Sequence, residues 1–267
     1  MGALQLSILV AAGMREYHSL LDVGCGSLRA GRFLIPYLEP DRYCGIDPEE
    51  AMVATGIRGE LGESMLTLKR PRFSYRADFD ASEFDEQFDF AIAQSIFTHT
   101  HPALAHDAFA RIAETLAPSG VLIGNYMPRR FLGPGGRLAR MPEEDAGWEY
   151  PGTVKYRWKD ICLLAGDLHM EPVRFAHPRL RWFAASTSAR RARQVAFSVP
   201  HAYRQLTRPE RLYLDVLHRL SEMRGPVGRS ARRTMWKPLR RHPLSHPGLR
   251  LRPSPPGPTN GEPSAPS

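Results

Sequence analysis

The stretch "LLDVGCGSLRAG", from Leu20 to Gly31, decides the fold of this chain. Apolar residues surround Asp22, a Gly-Cys-Gly turn follows, and polar residues then open a helical pattern. Because they have no Cβ, Gly24 and Gly26 let the backbone turn tightly and approach a ligand closely. A turn of this kind ahead of a helix suits an anionic group, since backbone N–H groups point at it. The stretch predicts a strand, a ligand-binding turn and a helix, and by itself leaves the ligand open.

Apolar runs bounded by turn signals alternate with helical patterns along the rest of the chain. Strands are predicted at 19–23, 42–46, 73–77, 88–93 and 121–126, with helices at 29–38, 49–61 and 103–117. Two weaker strands, at 171–175 and 181–186, follow a predicted helix at 158–168. Strands and helices that alternate in this way form βαβ units and a parallel sheet. In an open sheet of this type the ligand binds at the carboxyl ends of the strands.

Composition limits the class of protein. The chain has 267 residues and is 42% hydrophobic, which is ordinary for a globular α/β domain with a real core. It has no apolar run near the roughly 18 residues that a membrane span needs. Three cysteines without CxxC spacing argue against a disulfide framework and against a zinc site. We therefore expect a soluble, cytoplasmic protein that holds no metal.

Polar residues at the ends of the second and third strands favour an adenosine ligand. Asp47 lies 21 positions after Gly26, where a carboxylate can accept hydrogen bonds from both ribose hydroxyls. Asp78 can accept from an exocyclic amine, and Phe79 can lie against a purine face. A dinucleotide site also needs a third glycine, and Arg29 stands at its position, which counts against NAD.

The sequence resembles the class I S-adenosylmethionine-dependent methyltransferases. The resemblance rests on "LLDVGCGSLRAG", "YCGIDP", "ADFD", "FDFAIAQSIFTH" and "LAPSGVLIGNYM", and it covers roughly residues 3–187. It implies a Rossmann-like three-layer α/β sandwich with a seven-stranded, mostly parallel sheet whose last strand is antiparallel. It also implies S-adenosyl-L-methionine as cofactor. The chain departs from the family pattern at Leu28, where a third glycine is frequent, and at Ser119, in the usual Pro-Gly-Gly turn.

The resemblance also implies a set of cofactor-binding residues. These are Asp22, Gly24, Cys25, Gly26, Arg29, Asp47, Pro48, Asp78, Phe79, Gln94 and Ser95. Asp22 would fix the turn or reach the amino group of the methionine moiety, which Gln94 and Ser95 would face. Arg29 would pair with the methionine carboxylate or be an ordinary surface arginine. Covalent catalysis by Cys25 is disfavoured, because the sequence offers it no nearby His or Asn partner.

Two features concern the acceptor. His99, after the fourth strand, is the candidate base for a hydroxyl acceptor, whereas transfer to an amine or a thiolate would leave it a packing role. The insert 127–156 is long and rich in arginine, with Trp148 and Tyr150, as in lids and binding loops. We predict methyl transfer to a small-molecule or glycan acceptor, at oxygen. A nucleic-acid methyltransferase and a noncatalytic S-adenosylmethionine-binding protein remain alternatives.

The chain divides into three predicted segments. A methyltransferase domain occupies residues 1–190, a helical extension 191–225, and a basic, proline-rich, disordered tail 226–267. The tail holds eight Lys or Arg residues and one Glu, so it carries +7 of the net charge of +8. It is a solvated segment or it touches an anionic surface such as lipid or nucleic acid. The near-neutral remainder disfavours a nucleic-acid substrate.

Overall fold

Strands and helices alternate largely as the sequence predicts in the computed structural model, which describes residues 2–129, 152–174 and 180–205. The helices are α1 (Gly2–Ala11), α2 (Gly31–Tyr37), α3 (Glu50–Gly56), α4 (Glu63–Lys69), α5 (Pro102–Thr115), α6 (Trp158–Leu164) and α7 (Ala189–Gln205). The strands are β1 (Leu20–Val23), β2 (Tyr43–Ile46), β3 (Arg72–Ser74), β4 (Phe88–Ala93), β5 (Leu116–Pro128), β6 (Lys155–Tyr156), β7 (His169–Val173) and β8 (Arg181–Ser186). A π-helical turn (Ile57–Leu61) follows α3, and a 3-10 turn (Ser82–Phe84) precedes β4.

Within the described residues, eight strands form one sheet. Its order is β3-β2-β1-β4-β5-β8-β7, and β6 pairs with the end of β5. The five strands from β3 to β5 are parallel, while β8 is antiparallel to both of its neighbours. The mostly parallel sheet with an antiparallel last strand is therefore confirmed. The predicted number of seven strands is exceeded by β6, which pairs with Met127 and Pro128 beyond the point where β4 ends.

Helices cover both faces of the sheet, which gives the expected three-layer, Rossmann-like arrangement. On one face α5 and α6 pack over a cluster that includes Phe97, Phe109 and Phe183. On the other face α1, α2 and α7 pack over a cluster that includes Leu9 and Trp182. Both faces of β1 and β2 are buried, as their near-continuous apolar sequences require. This core brings the carboxyl ends of β1, β2 and β4 together at one edge.

Several element boundaries differ from the sequence-based prediction. Helix α2 begins at Gly31 and not at residue 29, and Leu28, ahead of it, has a left-handed φ of +55°. Strand β3 ends at Ser74, so the "ADFD" motif lies beyond the sheet and not directly at a strand end. The predicted helix 49–61 is α3 followed by the π-helical turn. Helix α1 is absent from the prediction, since it is apolar on nearly all sides and shows no period.

Some predictions fall outside the described residues. They are most of the insert 127–156 with Trp148 and Tyr150, the part of the helical extension after Gln205, and the tail 226–267. The division into three segments therefore stays a prediction. In the part of the chain that the structure describes, no helix combines the length and apolar character that a membrane crossing requires.

Candidate functional site

A cavity of about 70 Å³ lies at the carboxyl end of β1. Its lining residues are Gln5, Asp22, Gly24, Cys25, Gly26, Ser27, Arg29, Ala30, Gln94 and Ser95. They come from α1, from β1 with the turn that follows it, and from the end of β4. Seven of the eleven residues predicted to bind the cofactor thus share one cavity, and Gln5, Ser27 and Ala30 join them.

The turn after β1 is shaped by its two glycines and tied to β2. Gly24 and Gly26 have φ values of +73° and +52°, which favour glycine. The N–H groups of Gly24 and Cys25 donate to the carbonyl of Ile46 at 2.8 and 3.1 Å. The N–H of Gly26 donates to Oδ2 of Asp47 at 2.8 Å. The expectation of an N–H cradle for an anion is therefore wrong at these three positions, because their donors are bonded inside the protein.

Asp47 fixes the turn from the end of β2. Its Oδ2 accepts from Gly26, and its Oδ1 accepts from the N–H of Glu49 at 3.0 Å. Each carboxylate oxygen has a second lone pair, so these bonds leave Asp47 able to accept from a ribose. Asp47 lies next to the cavity and outside its lining, and its ribose-binding role stays a prediction.

Asp22 and Arg29 place opposite charges on one cavity. Asp22 is 4% exposed, and its Oδ2 accepts from the hydroxyl of Tyr43 at 2.7 Å. The pKa of Asp22 is raised to about 7. Burial is the main cause and the charge of Asp47 adds to it, while the hydrogen bond from the Tyr43 hydroxyl acts in the opposite direction. Arg29 is exposed, precedes α2, and forms no ion pair with any residue that the structure describes. A carboxylate and a guanidinium fit the ammonium and carboxylate groups of an amino acid, as the methionine end of S-adenosylmethionine requires.

Cys25 is unsuited to nucleophilic chemistry. Its side chain is buried next to Val53 and Leu28. Burial, together with nearby Asp22 and Asp47, raises the pKa of its thiol far above the ordinary range. The thiolate is the nucleophilic form of cysteine, so the protonated thiol of Cys25 is a packing group.

A chain of polar side chains connects α1 to β4 and β5. The amide of Gln5 donates to Oε1 of Gln94, whose Nε2 lies 3.0 Å from Oγ of Ser95. Ser95 has a left-handed φ of +65°, and its N–H donates to Oδ1 of Asn125 at 3.0 Å. Asn125 is fully buried, and its Nδ2 has no hydrogen-bond partner among the described residues. The sequence reading missed Gln5 and Asn125; the signal for Asn125 was an amide within the apolar run "VLIGNY".

The predicted adenine-binding residues lie outside the cavity lining. Asp78 pairs with Arg76, whose Nε donates to its Oδ1 at 2.9 Å, and this pairing lowers the pKa of Asp78 to about 2. Phe79 has a φ of +61° and packs against the core on the α5 side. Pro48 follows Asp47 and also lies outside the lining. The adenine-binding roles of Asp78 and Phe79 stay predictions.

His99 lies in the segment after β4 and is bonded to the far end of the insert. Its Nδ1 is 3.2 Å from the carbonyl oxygen of Gly152. Because a carbonyl oxygen only accepts, the ring makes this hydrogen bond when Nδ1 carries a proton. Two more bonds hold this segment to the returning chain: Val154 N–H donates to Thr98 O at 2.9 Å, and the Tyr156 hydroxyl donates to Thr100 O at 2.6 Å. These three hydrogen bonds tie the segment after β4 to the chain that returns from the insert.

The two neighbouring histidines have local roles. Nδ1 of His101 accepts from the N–H of Ala103 at 3.4 Å and caps α5. His106 is exposed next to Asp107. Across residues 2–129, 152–174 and 180–205, no three His, Cys, Asp or Glu side chains converge into a group able to hold a metal ion.

Comparisons with known proteins give a matching family model for part of the chain and solved structures of similar fold. Residues 21–122 match the family model described as a methyltransferase domain. The PH0226 protein from Pyrococcus horikoshii OT3 is 17% identical, with 68% of this chain and 88% of that chain covered and a TM-score of 0.50, which supports the fold. Magnesium protoporphyrin IX methyltransferase from Synechocystis PCC 6803 with bound SAH is 18% identical, with 70% and 84% covered and a TM-score of 0.49. The N-methyltransferase NodS from Bradyrhizobium japonicum WM9 in complex with SAH is 15% identical, with 69% and 84% covered and a TM-score of 0.48.

Proposed function

Because residues 21–122 match a methyltransferase domain, we propose that the chain is a class I S-adenosylmethionine-dependent methyltransferase that methylates an oxygen atom of a small-molecule or glycan acceptor, with His99 as general base. S-adenosylmethionine supplies an electrophilic methyl group when bound. The protein then has to align the acceptor, remove the proton of a hydroxyl and exclude water.

The bond between His99 and Gly152 carries this proposal. When Nδ1 carries the proton that this bond needs, Nε2 would be the nitrogen that takes the proton of a hydroxyl. A histidine base suits a hydroxyl, whose proton has to leave during methyl transfer, whereas an amine or a thiolate does not need such a base. Because Gly152 belongs to the end of the insert, the same bond joins the base to the segment predicted to hold the acceptor.

The donor site of the proposal uses the cavity and its rim. Asp22 would receive the ammonium group and Arg29 the carboxylate of the methionine moiety, with Gln94 and Ser95 beside it. Asp47, at the rim, would accept from the ribose. Asp78 and Phe79 would hold the adenine, and Pro48 would contact the cofactor beside Asp47. The cavity that joins Asp22 to Arg29 supports the first of these assignments.

The experiment is a survey of acceptors followed by one substitution. Release of S-adenosylhomocysteine is measured with hydroxyl, amine and thiol compounds, including sugars. We expect turnover with hydroxyl acceptors. His99→Ala should then lower kcat by about 100-fold or more, the typical share of a general base, and leave the affinity for S-adenosylhomocysteine within twofold. His106→Ala, an exposed histidine on α5, is the matched control. Turnover restricted to amines or thiols rejects the oxygen acceptor, and an unchanged kcat in His99→Ala rejects the role of His99 as base.

A nucleic-acid acceptor is the second candidate, because residues 226–267 carry a net charge of +7. The net charge of +1 on the remaining residues disfavours it, as does the absence from the sequence of the Asn/Asp-Pro-Pro-aromatic motif that holds a flipped base. Deletion of 226–267 separates the two candidates. Loss of both nucleic-acid binding and turnover on that deletion would establish the nucleic-acid acceptor, while unchanged turnover on a small molecule supports our proposal.

A further inference from the structure

Tyr43 is a buried residue that the sequence reading assigned no function. It begins β2, next to β1, and is 2% exposed. Its hydroxyl donates to Oδ2 of Asp22 at 2.7 Å. The ring packs edge-on to Phe73, and a Cβ added to Gly31 would lie only 3.3 Å from the hydroxyl. Packing therefore fixes the position of this hydroxyl.

The hydroxyl of Tyr43 leaves one oxygen of Asp22 for a ligand. Oδ2 is bonded to Tyr43, and among residues 2–129, 152–174 and 180–205 no donor is bonded to Oδ1. Asp22 also lines the cavity. One oxygen thus anchors the carboxylate while the other is the available acceptor beside the space that the methionine end of the cofactor would occupy.

We propose that Tyr43 is a positioning residue, which holds the Asp22 carboxylate in place for the ammonium group of S-adenosylmethionine. This inference rests on the donor site of the proposed function. It adds a residue that does not line the cavity and acts only through Asp22.

The charges around Asp22 explain why the hydroxyl matters. Burial opposes the charged carboxylate, Asp47 repels it, and the buried thiol of Cys25 is uncharged. Arg29 faces the same cavity but is exposed to solvent. The Tyr43 hydroxyl is the buried group that favours ionisation, since a hydrogen bond to the charged form of an acid lowers its pKa. Its removal raises the pKa of Asp22, so that less carboxylate is available at neutral pH.

The test compares two ligands in two variants. Calorimetric titration gives the affinities of S-adenosylhomocysteine and of 5′-methylthioadenosine, which lacks the amino-acid end. Tyr43→Phe removes the hydroxyl, and Tyr37→Phe is the matched control, because its hydroxyl donates to the Met14 carbonyl and not to Asp22. We expect Tyr43→Phe to weaken S-adenosylhomocysteine binding about tenfold near pH 6.5, the loss typical of a hydrogen bond to a charged group. Binding of 5′-methylthioadenosine should change less than twofold, and Tyr37→Phe should change neither.

The pH profile separates positioning and ionisation from a structural role. The deficit of Tyr43→Phe should shrink to about twofold near pH 9, where Asp22 is ionised in both proteins, and ligand deprotonation affects both equally. Equal weakening of both ligands at both pH values, or unchanged affinities, overturns the proposal. The wild-type protein provides a check that needs no variant. The ratio of its affinities for S-adenosylhomocysteine and 5′-methylthioadenosine should rise between about pH 5.5 and 7.5, because Asp22 becomes ionised over this range. If this ratio does not change with pH, the ionisation of Asp22 is refuted. These binding titrations contain no methyl acceptor. If the proposed oxygen acceptor or the proposed role of His99 were wrong, the error would therefore show in the turnover assays and not in these affinities.

Discussion

Gly56, the last residue of α3, packs directly on the turn that lines the cavity. A Cβ at this position would lie 2.5 Å from both the carbonyl carbon and oxygen of Ser27 and 3.0 Å from the nitrogen of Leu28. Ordinary contact begins at 3.4 Å, so Gly56→Ala has to separate α3 from the turn by about 0.9 Å. Replacing a helical glycine by alanine normally stabilises a protein by about 0.5–1 kcal/mol, whereas overpacking costs about 1–3 kcal/mol. We expect a net loss of about 1–2 kcal/mol.

Urea unfolding measures this loss directly, and the melting temperature should fall by about 2–4 °C for each kcal/mol in a domain of this size. Because Ser27 lines the cavity, affinity for S-adenosylhomocysteine should also fall. Gly59→Ala is the matched control, since an added Cβ there meets no atom within 4 Å. That variant should gain about 0.5–1 kcal/mol. If Gly56→Ala were as stable as Gly59→Ala, the close packing of α3 on the turn would be refuted.

Three further predictions concern stability. The pKa of Asp22 is about 7 in the folded protein against an ordinary value of 3.8, so ionisation of this residue costs stability as the pH rises between these values. In urea unfolding, the free energy of unfolding of Asp22→Asn should therefore match that of the wild type near pH 4 and exceed it by about 2–4 kcal/mol at pH 7.5. Phe97 is fully buried, and its ring stacks on that of Phe109 with the centroids 4.3 Å apart, so Phe97→Ala should lower the free energy of unfolding by about 3–5 kcal/mol. Phe197 is 68% exposed, so Phe197→Ala should change the same quantity by less than about 0.5 kcal/mol. Burial raises the pKa of Asp160, but its hydrogen bonds to Arg157 at 2.6 and 2.7 Å lower it more, to a net value below the ordinary one. Asp160→Ala should therefore cost about 2 kcal/mol at pH 7 and progressively less in unfolding measured below pH 4, where the wild-type carboxyl becomes protonated.

The fold was predictable where the chain alternates between two clear periods. The apolar runs at β1, β2 and β4 are buried on both faces, and α5 shows one apolar face, so each could be assigned locally. Helix α1 shows no such face. The two-residue strand β6 depends on a pairing with Met127 and Pro128 that exists only after the insert has returned to the sheet.

The site was predictable to the extent that it consists of strand ends. Parallel strands place their carboxyl ends on one edge, which brings Asp22 and Gln94 to the same cavity. Contacts across strands were not predictable, because a single sequence does not give the pairing that sets Tyr43 next to β1. Leu28 shows another limit: a fully buried residue with an apolar side chain occupies a left-handed position where class I methyltransferases often have glycine.

The bonded N–H groups of Gly24, Cys25 and Gly26 have a consequence for how a ligand is selected. A loop that becomes ordered only around its ligand loses chain entropy during binding, and it adjusts its shape to what arrives. This turn has already lost that entropy during folding, because all three groups are tied to β2. In hydrogen exchange these amide protons would report the separation of β1 from β2, and not the presence of a ligand. Discrimination among adenosine compounds then depends on how well each one fits a surface that exists before it arrives.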